Sequence, residues 1–201
     1  MKLYYTPGAC SLAPHIVLCE GGISATLDKV ALDKHMTAEG QDFYTVNPQG
    51  SVPTLELDGG EVLTENAVIL QYLATQAPDA NLAPKDGIAL WRMRETLNFI
   101  ATELHKGFSP LFRKPAPEVR EGLVKNVLSR LKLLSGKLGD KPYLMGAHLT
   151  VPDAYAYVML RWAKSFQIDF GAFANLTAFY DRMQKRPGVQ KALSEEGLPT
   201  A

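Results

Sequence analysis

Residues 77–84, Ala77-Pro-Asp-Ala-Asn-Leu-Ala-Pro84, separate two stretches of the chain that differ in periodicity. Ahead of this polar, proline-bracketed segment, short strand-like runs alternate with helical ones. Behind it no strand pattern recurs. The break predicts an α/β part at residues 1–77, a linker at 78–85 and an all-α helical bundle at 86–201.

In the first part, residues 2–5 read as a strand and residues 11–20 as a helix, with Leu12, Ile16 and Cys19 on one stripe, Pro14 in its first turn and Gly21-Gly22 at its end. Residues 26–32 give a second strand, and a short helix is expected near residues 38–44. Residues 54–57 and 61–63 flank Asp58-Gly59-Gly60, a hairpin signal. Thr64 fits an N-cap for a helix over residues 65–75, whose Val68, Ile69, Tyr72 and Leu73 mark an apolar face. Strand, helix, strand, hairpin and helix in this order predict the thioredoxin-like layout, one mixed four-stranded sheet covered by helices.

The second part opens with Leu90, Met93, Leu97, Ile100, Leu104 and Phe108 at steps of three and four. Val119, Leu123, Val127, Leu131, Leu134 and Leu138 repeat the pattern. Prolines at 110, 115 and 117 separate these two helices. Thr150-Val-Pro-Asp153 has the form of a capping box ahead of a helix that is apolar nearly all round, residues 154–162, expected at the centre of the bundle. Residues 176–186 and 189–194 are expected to complete the bundle.

Lys plus Arg and Asp plus Glu number 21 each, so the net charge is zero and nothing points to nucleic acid or an anionic membrane. No apolar run approaches the roughly 18–20 residues of a membrane span, and the first ten residues lack a signal-peptide profile. A cytoplasmic protein is expected. If Cys10 and Cys19 share one helix, nine steps of about 100° put them on opposite faces, about 13 Å apart along the axis and too far to bridge. Reduced thiols follow.

Cys10 stands at a helix start, behind the Pro7-Gly8 turn, where unpaired amides and the helix field favour a thiolate. With no cysteine at position 13, a dithiol redox cycle is excluded at this motif, and a monothiol accepting a partner thiol stays open. Val52-Pro53 enters a strand, and a cis bond there would present Val52's backbone to a peptide-like ligand. An ordinary trans proline at an edge strand is the alternative. Glu65 and Asn66 at a helix start suit an amino-acid zwitterion, if their acid is not simply compensating the helix dipole. Asn98, Thr102 and His105, at i, i+4 and i+7 with Lys106 adjoining, form a polar line that could face a cleft or simply be solvated. His15, His35 and His148 are read as lacking metal-ligand spacing with each other or with cysteine, and no metal site is expected.

Five blocks in order, Tyr4-Tyr-Thr-Pro-Gly-Ala-Cys-Ser11, Asn47-Pro-Gln-Gly-Ser-Val-Pro53, Leu63-Thr-Glu-Asn66 through Gln71-Tyr-Leu73, Thr102-Glu-Leu-His-Lys106 with Phe108-Ser-Pro-Leu-Phe112, and Arg186-Pro-Gly-Val-Gln-Lys-Ala-Leu193, resemble the glutathione S-transferase family, more narrowly its bacterial beta class. The resemblance spans essentially the whole chain. It implies a homodimer that binds glutathione in an interdomain cleft and transfers it to a small hydrophobic electrophile. By position, it implies that Cys10 lies against the glutathione sulfur, that Val52 beside a cis Pro53 pairs with the cysteinyl backbone, and that Glu65 and Asn66 hold the γ-glutamyl end. Asn98, Thr102 and His105 would complete the site, with Asn98 coming from the same subunit or from its partner. Cys10, Ser11, His105 and, in a minor role, Tyr5 would help to lower the pKa of the thiol. The electrophile is expected near Pro7, residues 108–112 and Trp162. His35 stands where the class commonly has lysine, and Asn66 where glycine or serine is usual; these bear on the glycyl-carboxylate and γ-glutamyl contacts. A thiol transferase or peroxidase acting through a Cys10–glutathione mixed disulfide, and a glutathione-dependent binding protein, are the alternative functions.

Overall fold

In the computed structural model, which describes residues 1–200, the first unit is built on β1 (Lys2–Tyr5), whose Leu3, Tyr4 and Tyr5 are all buried. A strand buried on both faces has to lie inside its sheet. β1 pairs in parallel with β2 (Thr26–Ala31), Leu3 opposite Leu27, and antiparallel with β4 (Thr54–Glu56), Leu3 opposite Leu55. The Asp58-Gly59-Gly60 turn returns the chain as β5 (Val62–Leu63), with Leu57 and Glu61 joined by a backbone bond across it. With β3 at Met36–Thr37, the sheet has five strands in the order β3-β2-β1-β4-β5 rather than the expected four. The additional β3 is two residues long, too short to show a periodicity, and pairs with the end of β2.

Helix α1 (Leu12–Gly21) buries every residue from Leu12 to Leu18, and packs against α2 (Asn66–Gln76). Tyr4, Val30, Phe43 and Val52 form a cluster, with Tyr4 and Phe43 tilted 5.5 Å apart. The helix expected at residues 38–44 is reduced to one 3-10 turn, Phe43–Thr45, capped by Asp42, whose carboxylate accepts from the Tyr44 amide.

The second unit comprises residues Ala83–Met183. In it α3 (Gly87–Phe99) continues through a π-helical segment, Ile100–His105, into α4 (Lys106–Phe108); α5 (Pro117–Leu138), α6 (Val151–Ser165) and α7 (Ala174–Gln184) follow. α6 is buried nearly throughout, as its composition requires, and Thr150 with Asp153 forms the capping box at its start. Among the described residues no helix is long and apolar enough to cross a membrane.

The last helix, α8 (Pro187–Glu195), groups with the first unit and packs on α1, not with the bundle that its helical pattern suggested. Val189, Ala192 and Leu193 supply the apolar contact. Arg186 donates from Nε and Nη2 to the two carboxylate oxygens of Glu20, at 2.8 and 2.6 Å, a bidentate pair that sets the register. Gly188 passes so close that a Cβ there would sit 2.7 Å from Glu20 Cγ.

Candidate active site

The site grows from the turn between β1 and α1. Ala9, Leu12 and Ala13 donate their amides to Thr6, Ala9 and Cys10 carbonyls, so the chain is wound into a turn before α1 begins at Leu12. Cys10 therefore precedes the helix, and the Leu12 and Ala13 amides are engaged with the turn. Ser11 is fully buried. Its hydroxyl accepts from the Thr6 amide at 3.1 Å and donates to the Thr6 carbonyl at 3.2 Å, which holds the turn shut.

Two distant segments meet this turn. The Cys10 thiol, 6% exposed, donates to the Val52 carbonyl at 3.2 Å, and the Val52–Pro53 peptide is cis. Asn66 Nδ2 donates to the Cys10 carbonyl at 2.9 Å, while its Oδ1 is buried with no hydrogen-bond partner. A buried acceptor without a donor is costly, roughly 1–3 kcal/mol, so this oxygen is poised to receive an N–H. Asn47 braces the loop behind Val52, donating from Nδ2 to the Ser51 carbonyl and the Thr54 hydroxyl.

Glu65 caps α2 in place of Thr64, with φ 66° and ψ 112°, and its own carbonyl accepts from the Val68 and Ile69 amides. Such a backbone costs a non-glycine residue roughly 1–3 kcal/mol and is characteristic of functional sites. It leaves the Glu65 carboxylate exposed beside the buried Asn66. His35, half-buried, packs against Tyr44 with ring centroids 4.4 Å apart and the rings tilted by 30°, its Nδ1 buried without a partner. Both rings lie against Gly50, where φ is 62° and an added Cβ would fall 2.6 Å from Tyr44 Cε1 and 2.8 Å from His35 Nδ1.

A further anchor escaped the sequence reading. The Gly8 amide donates to Glu196 Oε2 at 2.8 Å, and Glu196 Oε1 meets His15 Nδ1 at 3.0 Å, while His15 Nε2 meets Glu195 at 2.7 Å. Burial alone would lower the pKa of His15, but hydrogen bonds with Cys19, Glu196 and Glu195 outweigh it and raise it to about 10, so the ring is an imidazolium at neutral pH. Nothing local in the sequence signals a contact across some 180 positions. Burial, then Glu196, raises the pKa of the Tyr5 hydroxyl above its ordinary value, so Tyr5 is a phenol at neutral pH.

In the second unit the polar line is broken up. Asn98 and Thr102 are exposed, and the Thr102 hydroxyl donates to the Asn98 carbonyl at 3.0 Å. The π segment is wound more widely than 3.6 residues per turn, so His105 is turned off the α-helical i+7 position. It is half-buried, shares a 2.6 Å hydrogen bond with the Tyr155 hydroxyl through Nδ1, and packs edge-on to Trp162. Burial, with Lys106 adding to it, lowers its pKa to about 4, leaving a neutral imidazole at physiological pH. Phe112 is exposed and stands edge-on to Trp162 and Phe166, at 4.8 and 4.9 Å.

Two family models match the chain: glutathione S-transferase, N-terminal domain, over residues 8–76, and glutathione S-transferase, C-terminal domain, over residues 99–187. Glutathione S-transferase GstA of Escherichia coli is 46% identical, over 98% of this chain and 100% of its own. A bacterial beta-class glutathione S-transferase from Sphingomonas chungbukensis is 45% identical with a TM-score of 0.94, over 99% of this chain and 100% of that one. A sphingomonad glutathione S-transferase solved in complex with glutathione is 42% identical with a TM-score of 0.93, over 99% and 100% of the two chains. Models covering both parts, and full-length relatives at this identity, place the chain in the glutathione S-transferase family, with bacterial beta-class enzymes among its structural neighbours.

Proposed function

We propose that the chain transfers glutathione, as its thiolate, to small hydrophobic electrophiles, and that the turn at Cys10 is where the glutathione sulfur is held. The observation that carries this reading is the convergence of three segments far apart in sequence: the Cys10 thiol on the Val52 carbonyl and the Asn66 amide on the Cys10 carbonyl. In this reading the cysteinyl backbone of glutathione pairs with Val52, whose carbonyl can accept a second donor. The γ-glutamyl ammonium meets the Glu65 carboxylate and the vacant Asn66 Oδ1. His35 faces the glycyl end.

The thiolate attacks an electrophilic carbon, and the leaving group departs with its electron pair. Stabilising that thiolate near neutral pH takes hydrogen-bond donors and the field of the α1 start. Cys10 is proposed to turn its one thiol proton from the Val52 carbonyl to the glutathione sulfur when the tripeptide binds. Ser11 acts through the shape of the turn, given its bonds to Thr6, and Tyr5 is a protonated phenol with a minor part. His105 is proposed as a neutral donor, with Asn98 and Thr102 accessory to glutathione, and Phe112 with Trp162 as apolar contacts for the electrophile. The working form is proposed to be a cytoplasmic homodimer.

The test is Cys10→Ala, assayed for glutathione affinity by calorimetry and for turnover on a chloroarene electrophile. Conjugation should persist within about tenfold, since one neutral donor contributes no more than about 1.4 kcal/mol, while disulfide reduction through a Cys10 mixed disulfide should vanish. Loss of conjugation together with disulfide reduction would overturn the assignment of conjugation to the ensemble rather than to Cys10. Unchanged glutathione affinity in both Cys10→Ala and Asn66→Ala would place the tripeptide elsewhere.

A further inference from the structure

Outside the residues proposed to hold glutathione, the first unit contains a second cluster of ligating side chains. His15 and Cys19 stand one helical turn apart on α1, at i and i+4, which puts them on one face. The expectation that His15 lacks metal-ligand spacing with cysteine overlooks this i, i+4 pair. Glu195, the last residue of α8, is brought against both of them. His15 Nε2, Cys19 Sγ and a Glu195 carboxylate oxygen lie within 4.8 Å of one another, with 2.7 Å from Nε2 to Oε2 and 3.8 Å from Sγ to the same oxygen. Ligands of one tetrahedral zinc ion, at about 2.0–2.3 Å from the metal, stand roughly 3.3–3.8 Å apart. The observed separations, from 2.7 Å to at most 4.8 Å, bracket that range.

A second feature is independent of those three atoms. The other nitrogen of His15, Nδ1, is held at 3.0 Å by Glu196, whose side chain is fully buried. A carboxylate on the far nitrogen fixes the ring of a metal-binding histidine and strengthens it as a donor. Glu195 is partly exposed and Cys19 half-buried, so the cluster opens to water on one side.

We propose that His15, Cys19 and Glu195 form a binding site for a divalent transition metal, with nitrogen, sulfur and oxygen donors suited to zinc(II), a fourth position open to water, and Glu196 as the buried carboxylate behind the histidine. Metal entry expels two protons to solvent, one from His15 Nε2 and one from the Cys19 thiol. The thiolate and the Glu195 carboxylate then neutralise the ion's double charge. Ligation ties α8 to α1 beside Glu196, the residue that also holds the Gly8 amide of the Cys10 turn. The site is thus a clip on the C-terminal segment, chemically separate from Cys10.

The experiment is a titration of the chelator-treated, full-length protein with cobalt(II), followed by competition with zinc(II). A thiolate-to-cobalt charge-transfer band should appear at one equivalent, persist in Cys10→Ala, and disappear in Cys19→Ser, whose zinc affinity should fall about tenfold or more. A measurement on the unaltered chain complements the variants. Zinc(II) should slow alkylation of Cys19 by iodoacetamide about tenfold or more, with Cys10 changing less than about twofold by peptide mapping. A band that survives Cys19→Ser, no band at saturating cobalt(II), or Cys19 alkylation indifferent to zinc(II) would each overturn the proposal and leave the cluster as a hydrogen-bonded ion pair.

Discussion

Replacing Asp153 by alanine removes the acceptor at the start of α6, and the structure allows its cost to be worked out. The buried carboxylate accepts from the Leu144 amide at 2.7 Å, the Thr150 amide at 2.8 Å and the Thr150 hydroxyl at 2.8 Å. The hydroxyl can rotate to another acceptor, but the two amides cannot. A buried donor left unpaired costs roughly 1–3 kcal/mol, so two give about 4 kcal/mol, reduced only in part by no longer burying a carboxylate. For a chain of this length each kcal/mol moves the melting temperature by about 2–4 °C, so a net cost of about 3 kcal/mol predicts a fall of about 6–12 °C. Both tryptophans, Trp91 and Trp162, lie in the same helical unit, so their fluorescence during thermal unfolding reads it directly. Thr150→Val, which loses only the hydroxyl, should cost about 1 kcal/mol, and Asp153→Asn should fall between the two. A shift below about 3 °C for Asp153→Ala, with the helical signal intact, would refute the claim that this carboxylate holds the start of α6.

Gly50→Ala places a Cβ 2.6 Å from Tyr44 and 2.8 Å from His35 at a φ of 62°, and should cost about 1–3 kcal/mol in urea denaturation while raising the KM for glutathione. His105 titrates at about 4 when folded and near 6.5 when unfolded, so the unfolded chain binds the extra proton first on acidification. Stability that is whole above pH 6.5 should decline as pH falls from 6.5 towards 4, and His105→Gln should flatten that limb of the pH–stability curve. Asn66→Ala removes the donor to the Cys10 carbonyl together with the unpaired Oδ1, so the two effects offset and stability should change by less than about 1 kcal/mol, while the KM for glutathione should rise about fivefold, the equivalent of about 1 kcal/mol of lost contact, with kcat changed less.

The hairpin at Asp58-Gly59-Gly60, the strand at residues 2–5 and the helix at residues 154–162 could be read before folding because each is specified by neighbours in sequence: a turn dipeptide, a run of aromatic and branched residues, a cap followed by an apolar stretch. Cys10, Val52 and Asn66 were legible as candidates for the same reason, each standing at a strand or helix boundary. β3 was not, because two residues carry no period. Thr64 was assigned the cap that Glu65 takes, because the positive φ at Glu65 has no local signature in a non-glycine residue. His105 was placed in line with Asn98 by assuming 3.6 residues per turn, which the π segment does not keep.

The sequence by itself determined most of the strands and helices, because hydrophobic period, capping and turn chemistry act over a few residues. The tertiary structure decided that the final helix packs on α1, that Glu196 holds the Gly8 amide, and that Asn66 bonds to Cys10. Those contacts join residues 56 to 188 positions apart, and packing and buried charge, acting only once the chain has folded, select them.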